Sequence, residues 1–226
     1  MREGRALLIV LVIVLAGFTI YVGYTNHQRR KYREQLAGLL HTGRYDIYDQ
    51  QIQERSLTRL FPVFSLAMMK LNALISNGEN ERIDAQFLHM DSFDLTVREG
   101  QDLYQKGFYY YLKQRNKERC AYYLEKAMDV LRDPHEKAKM EELYQIFLCQ
   151  NTVLEEEVCR RMEGKSEMEC YREEYLLAQI YENKQDPLQA ELYRTKAYRH
   201  KHQMEEAIEA LRFDRRRKHN RRINDG

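Results

Sequence analysis

Apolar residues are laid out along this chain in two different ways. Residues 6–26 carry no charge, and Leu, Ile and Val dominate from Ala6 to Val22. From Lys31 onward, apolar positions instead recur every three and four residues. Leu103, Phe108, Tyr111 and Leu112 form one such series, and Tyr123, Leu124, Ala127, Met128 and Leu131 form the next. That spacing is the period of an amphipathic helix, and no alternating strand pattern with hairpin turns breaks it. The expected fold is all-α.

The charge-free run predicts a transmembrane helix over residues 6–26, with a short head at residues 1–5. Twenty-one helical residues rise about 30 Å, the thickness of a hydrocarbon core. The run outlasts the apolar core of a secretory signal, and no Ala-x-Ala cleavage site follows it. Tyr21 and Tyr24 fall where an interfacial aromatic belt would lie. Arg29, Arg30, Lys31 and Arg33 outnumber Arg2 and Arg5. By the positive-inside rule this favours a single-pass protein of the cell membrane with its remaining domain in the cytoplasm.

Past the run, turn-forming residues arrive at regular intervals. They stand at Thr42-Gly43-Arg44, Asn77-Gly78-Glu79, Arg115-Asn116, Gln150-Asn151-Thr152 and Asn183 to Pro187. A second set falls between them, near Pro62, Ser92, Asp133-Pro134, Gly164-Lys165-Ser166 and His200. Short helix, turn, short helix at a period of roughly 35 residues predicts an α-solenoid of about five helical hairpins. Their starts are expected at Lys31, Leu66, Gln101, Glu136 and Tyr171.

This pattern resembles the tetratricopeptide repeat (TPR) in degenerate form over residues 31–203. The family places a small residue at position eight, where Gly38, Ala73, Phe108, Leu143 and Ala178 stand. At position twenty are Gln50, Ala85, Cys120, Glu155 and Ala190, and at position twenty-seven Leu57, Ser92, Ala127, Met162 and Ala197. An aromatic at position eleven is matched by Tyr111 and Tyr181, and the late proline by Pro62. The resemblance implies a groove lined by first-helix residues that holds a protein or peptide ligand. Carried over by position, that lining includes Gln35, Leu39, Lys70 and Leu74, and above all Gln105, Tyr109, Met140, Tyr144, Tyr175 and Gln179. The alternative for the tyrosines is packing between repeats. The Lys/Asn/Arg set of a carboxylate clamp is absent.

Charge is segregated. Residues 1–35 carry a net +4, residues 36–211 a net −7 and residues 212–226 a net +5. Residues 204–226 are expected to form a basic C-terminal capping helix and tail. Met204, Ala207, Ile208 and Leu211 supply its apolar stripe. Arg215, Arg216, Arg217, Lys218, Arg221 and Arg222 are candidates for contact with anionic lipid. The same charges equally suit a solvated helix end. Nucleic acid is a poor fit, because only Phe213 interleaves with them and no nucleic-acid module accompanies them.

Candidate chemistry is sparse. The sequence has no Gly-x-Gly-x-x-Gly, no phosphate-binding Gly-rich loop, no Gly-x-Ser-x-Gly and no His-Glu-x-x-His. His200 and His202 point about 200° apart on a helix and are poorly placed to share a metal. Glu155-Glu156-Glu157 reads as a helix start, with Asn151 or Thr152 as N-cap and Glu155 closing a capping box. Cys120, Cys149, Cys159 and Cys170 form no close Cys-x-x-Cys pair, although their even number would permit two disulfides. No enzyme, cofactor or metal is expected. The reading is a membrane-anchored helical-repeat adaptor for a protein or peptide partner. The alternatives are an extracytoplasmic folding or envelope-assembly factor and an accessory subunit of a membrane complex.

Overall fold

The computed structural model describes residues 2–224, without the side chains of residues 2–10, 13, 211 and 213–224. Every regular element among them is helical. In order these are α1 (Arg2–His41), α2 (Tyr45–Ile52), α3 (Arg55–Leu60), α4 (Val63–Asn77), α5 (Asn80–Asp91) and α6 (Val97–Lys113). They are followed by α7 (Lys117–Val130), α8 (Pro134–Phe147), α9 (Glu155–Arg160), a 3-10 turn (Glu167–Cys170), α10 (Tyr171–Asn183) and α11 (Pro187–Asn224). The all-α expectation holds. The chain divides into two compact units, residues 1–103 and 104–226.

The transmembrane helix is corrected. Among the described residues no helix is long and apolar enough to cross a membrane. The side chains at residues 6–10 and 13 lie outside the described residues. What remains of the run includes Thr19, Tyr21, Gly23, Tyr24, Thr25 and Asn26, which leaves fewer than the eighteen or so apolar positions that a span needs. Nor is the run a separate element: α1 continues unbroken to His41. The single-pass membrane location loses its basis with it.

The far end of α1 belongs to the core of the first unit. Leu36 packs with Tyr48, Ile52, Leu57, Phe61 and Ala73, and Tyr32, Leu39 and Leu40 close around them. Each fully buried Leu or Phe there contributes roughly 1.5–3 kcal/mol. Polar atoms that enter this core find partners. The Tyr48 hydroxyl donates to the Met69 carbonyl at 2.9 Å, and burial pushes its pKa up to about 12. Arg29 Nε donates to the Leu60 carbonyl at 2.7 Å.

The helices turn back in a recurring way. Residues with left-handed φ close α1, α4, α6, α8 and α10: Gly43 (70°), Gly78 (75°), Arg115 (56°), Gln150 (55°) and Gln185 (60°). In four of the five, the next N–H reaches five residues back to a helix carbonyl. These bonds run from Arg44 to Leu39 (2.9 Å), Glu79 to Leu74 (3.3 Å), Asn116 to Tyr111 (3.0 Å) and Asp186 to Tyr181 (2.9 Å). After α8 the bond is one residue wider, from Asn151 to Gln145 at 3.0 Å. The five-residue reach is the hydrogen bond that defines a Schellman ending, which supplies donors to carbonyls a helix end leaves orphaned. Asn116 and Asp186 then start the following helices, their side chains accepting from Arg119 N and Gln189 N, each at 3.1 Å.

In the second unit the small residue that admits the neighbouring helix is Gly107, one position before the expected Phe108. A Cβ on Gly107 would lie 2.5 Å from the Tyr123 ring, which is buried and stacked on Tyr111 at 5.4 Å. Phe108 turns inward and is fully buried. Farther along, Ile146, Val158, Leu176, Leu177 and Ile180 form a second core. The expected capping box at Glu155 is also corrected. Asn151 accepts from Val153 N instead, at 2.9 Å. Glu155 turns to α10, where it takes a hydrogen bond from the Tyr181 hydroxyl at 2.6 Å and pairs with Lys184.

Two substitutions test this account by urea unfolding. Gly107→Ala is expected to cost about 1–3 kcal/mol, because the Tyr123 ring has no room to yield. Gln185→Gly is expected to stabilise by about 0.5–1 kcal/mol, since glycine relieves left-handed strain and gives back part of that gain as unfolded-state entropy.

Candidate partner-binding groove

The second unit ends in a helical pair whose inner faces are small and apolar. Leu177, Ala178 and Ile180 of α10 and Ala190 and Ala197 of α11 are buried. Small side chains let the two helices run close, and contacts beyond them fix their relative placement. Tyr181 and Tyr193 stack at 5.4 Å. At the far end of the pair, His200 and Glu174 are each only 3% exposed, with His200 Nδ1 2.8 Å from Glu174 Oε2. Arg199 Nη2 lies 3.2 Å from His200 Nε2. The Glu167 carboxylate lies 3.7 Å from the same His200 nitrogen.

On the outer side of this pair lies a cleft of about 460 Å³ lined by Tyr171, Arg172, Tyr175, Arg194, Ala197, Tyr198 and Lys201. Helical spacing builds it. Tyr171 and Tyr175 lie four apart on α10, as Arg194 and Tyr198 do on α11, so each pair shares a face. Buried Ala197 forms part of the floor. The two rings above it remain in solvent, Tyr175 at 53% and Tyr198 at 74% exposure. The Tyr175 ring is steadied by Phe147, 5.6 Å away, which itself lies under the Arg115 guanidinium at 5.1 Å.

Of the residues expected to line a groove, Tyr175 alone lines this cleft. Gln179, one turn farther along α10, is 8% exposed. It accepts from Arg115 Nη2 at 2.6 Å and donates to Asn183 Oδ1 at 3.0 Å. Arg115 also donates to the Phe147 carbonyl, and Asn183 Nδ2 donates to the Ile146 carbonyl at 2.8 Å. Gln179 therefore belongs to a network that caps the end of α8. Met140 is fully buried and offers no surface. Tyr144 is half-buried, and burial raises its hydroxyl pKa, with Cys149 and Cys120 adding to the effect. Gln105 is half-buried and Tyr109 exposed on α6. In the first unit, Leu39 and Leu74 go to the interior, Lys70 is half-buried and Gln35 is exposed. The side chains of Arg215, Arg216, Arg217, Lys218, Arg221 and Arg222 lie outside the described residues.

Tyr198, Arg194 and Lys201 were not foreseen, because groove positions were sought on first helices only. A usable signal was present, since Tyr171/Tyr175 and Arg194/Tyr198 repeat the same four-residue spacing. Among the described residues no cluster of His, Cys, Asp and Glu could hold a metal. His202 lies on the exposed side of α11, 3.3 Å from Glu206. The four cysteines are free thiols, and burial pushes the Cys120 pKa up to about 12. Comparisons with family models, curated proteins and solved structures find no match for this chain.

The Glu155 contact gives the pair a pH dependence. Hydrogen bonds from Lys184 and then Tyr181 lower the Glu155 pKa from its usual 4.5. A carboxylate whose pKa is lower folded than unfolded adds stability above the unfolded value, and that stability is lost as pH falls through the folded one. Below about pH 4.5, wild-type stability should therefore fall more steeply than that of Tyr181→Phe. Thermal melts across pH 3–7 would check this, and parallel curves would refute it.

Proposed function

We propose that this chain is a non-enzymatic scaffold of tetratricopeptide-like helical hairpins whose second unit holds a protein or peptide partner. The observation that carries this reading is the cleft between α10 and α11, with Tyr175 and Tyr198 held in solvent on a braced helical pair. Large aromatic rings gain most when they leave water, and a rigid tyrosine loses little entropy on contact. Folding of the pair draws on buried Leu177, Ile180, Ala190 and Ala197 and on His200, and has no need of an exposed Tyr198.

Recurrence supports the same reading. Left-handed turns at Gly43, Gly78, Arg115, Gln150 and Gln185 close α1 and then every second helix from α4 to α10. First helices start at Val63, Val97, Pro134 and Tyr171, close to the 34-residue period of the family. Arrays of this kind present surface rather than reactive groups.

Replacing Tyr175 or, separately, Glu118 with a photoreactive phenylalanine analogue in cells of the native host tests the proposal. Irradiation should give a discrete protein adduct at Tyr175 and none at exposed Glu118 on α7. Adducts at Glu118 with none at Tyr175 would contradict the assignment.

A further inference from the structure

We infer that the cleft between α10 and α11 is selective for an acidic segment of a partner protein, one that also carries an apolar anchor side chain. This rests on the scaffold reading and adds the chemistry of the occupant. The lining holds three cations, Arg172, Arg194 and Lys201, three phenols and Ala197. It contains no carboxylate and no carboxamide. Guanidinium and ammonium groups can only donate, so an occupant that brings carboxylate acceptors complements this lining.

The contrast with the next cleft is informative. That cleft, of about 490 Å³ beside α8, α9 and the start of α10, is lined by Lys139, Arg161, Lys165 and Arg172 against Glu141, Glu142, Glu157 and Glu173. Its charges answer one another: Arg161 pairs with Glu142, and Lys165 with Glu173 at 2.8 Å. The two clefts are similar in size, and what separates them is that carboxylates are part of one lining and not of the other. Residues 36–211 are acidic overall, so three cations around one tyrosine cleft stand against the prevailing sign.

Carboxylates of the chain do reach these cations from outside the lining. Arg194 pairs with Glu182 at 3.1 Å and Glu191 at 2.7 Å, Lys201 with Glu205 at 3.7 Å and Arg172 with Glu142 at 3.9 Å. The Arg194 and Lys201 pairs are solvent-exposed, and such pairs contribute little. A partner carboxylate can take their place at small cost, particularly once an anchor between Tyr175 and Tyr198 has displaced water. The apolar part of the occupant sits over Ala197, and its acids reach Arg194 and Lys201 along α11.

Selection of a random peptide display library on the intact chain tests this. Enriched peptides should carry several Asp or Glu residues around an aromatic or long aliphatic one. Their binding, read by fluorescence anisotropy, should weaken several-fold when salt rises from about 0.05 to about 0.3 M. Tyr198→Ala with Lys201→Glu should weaken it at least about 30-fold while leaving the melting curve unchanged, since both residues are exposed. Enrichment of peptides without acids, or of acidic peptides indifferent to the double substitution, would overturn the inference. If Tyr175 still crosslinks in cells, the scaffold reading would survive that result. Enrichment of no peptide, with no crosslink at Tyr175, would overturn both. Self-association of the chain that the double substitution abolishes would replace the acidic partner with a second copy.

Discussion

A helix that ends against a neighbour leaves its last carbonyls without donors, and the hairpins of this chain depend on how that need is met. A residue in the left-handed region reverses the chain, and the following N–H reaches back into the helix. Gly43 and Gly78 do this without strain. Arg115, Gln150 and Gln185 do it at some cost, offset where the side chain gains contacts. Arg115 is the clearest case: from its strained turn it donates to the Phe147 carbonyl and to Gln179, and lies over the Phe147 ring. One residue thus closes α6, caps α8 and touches α10.

The groove follows from that bracing. Phe147, held by Arg115, supports Tyr175. His200 and Glu174 fix α11 to α10 at the other end, and the Tyr181–Tyr193 stack fixes them near the turn. Between these points the two helices have little freedom, so Tyr175, Tyr198, Arg194 and Lys201 are presented at set distances. In the proposed complex, a partner would lose less entropy in ordering them than it would on a mobile loop. The free thiols and charge pairs around the groove do no chemistry that this account requires.

Much of this order was legible in sequence, and the exceptions have physical causes. The turns at Gly43, Gly78, Arg115, Gln150 and Gln185 could be read from polar and glycine clusters, because turn chemistry is local. The small residue on α6 was misplaced by one position: contact with Tyr123 selects Gly107, and that ring arrives from another helix. Glu155 looked like a capping residue until Tyr181 and Lys184 offered it stronger partners. The apolar run in α1 suggested a span, whereas the described part of the helix is too short in apolar residues and passes without a break into a packed core. Met140 and Gln179 show the limit most plainly. Their repeat positions suggested a surface, but burial is decided by neighbours far away in sequence.

Tyrosine footprinting by mass spectrometry, comparing purified chain with chain in native cells, tests the central claim most directly. Tyr198 and Tyr175 should react readily in the purified protein and be protected in cells, with exposed Tyr122 on α7 equally reactive in both. Tyr198 and Tyr175 reacting as fast in cells as in isolation would contradict it.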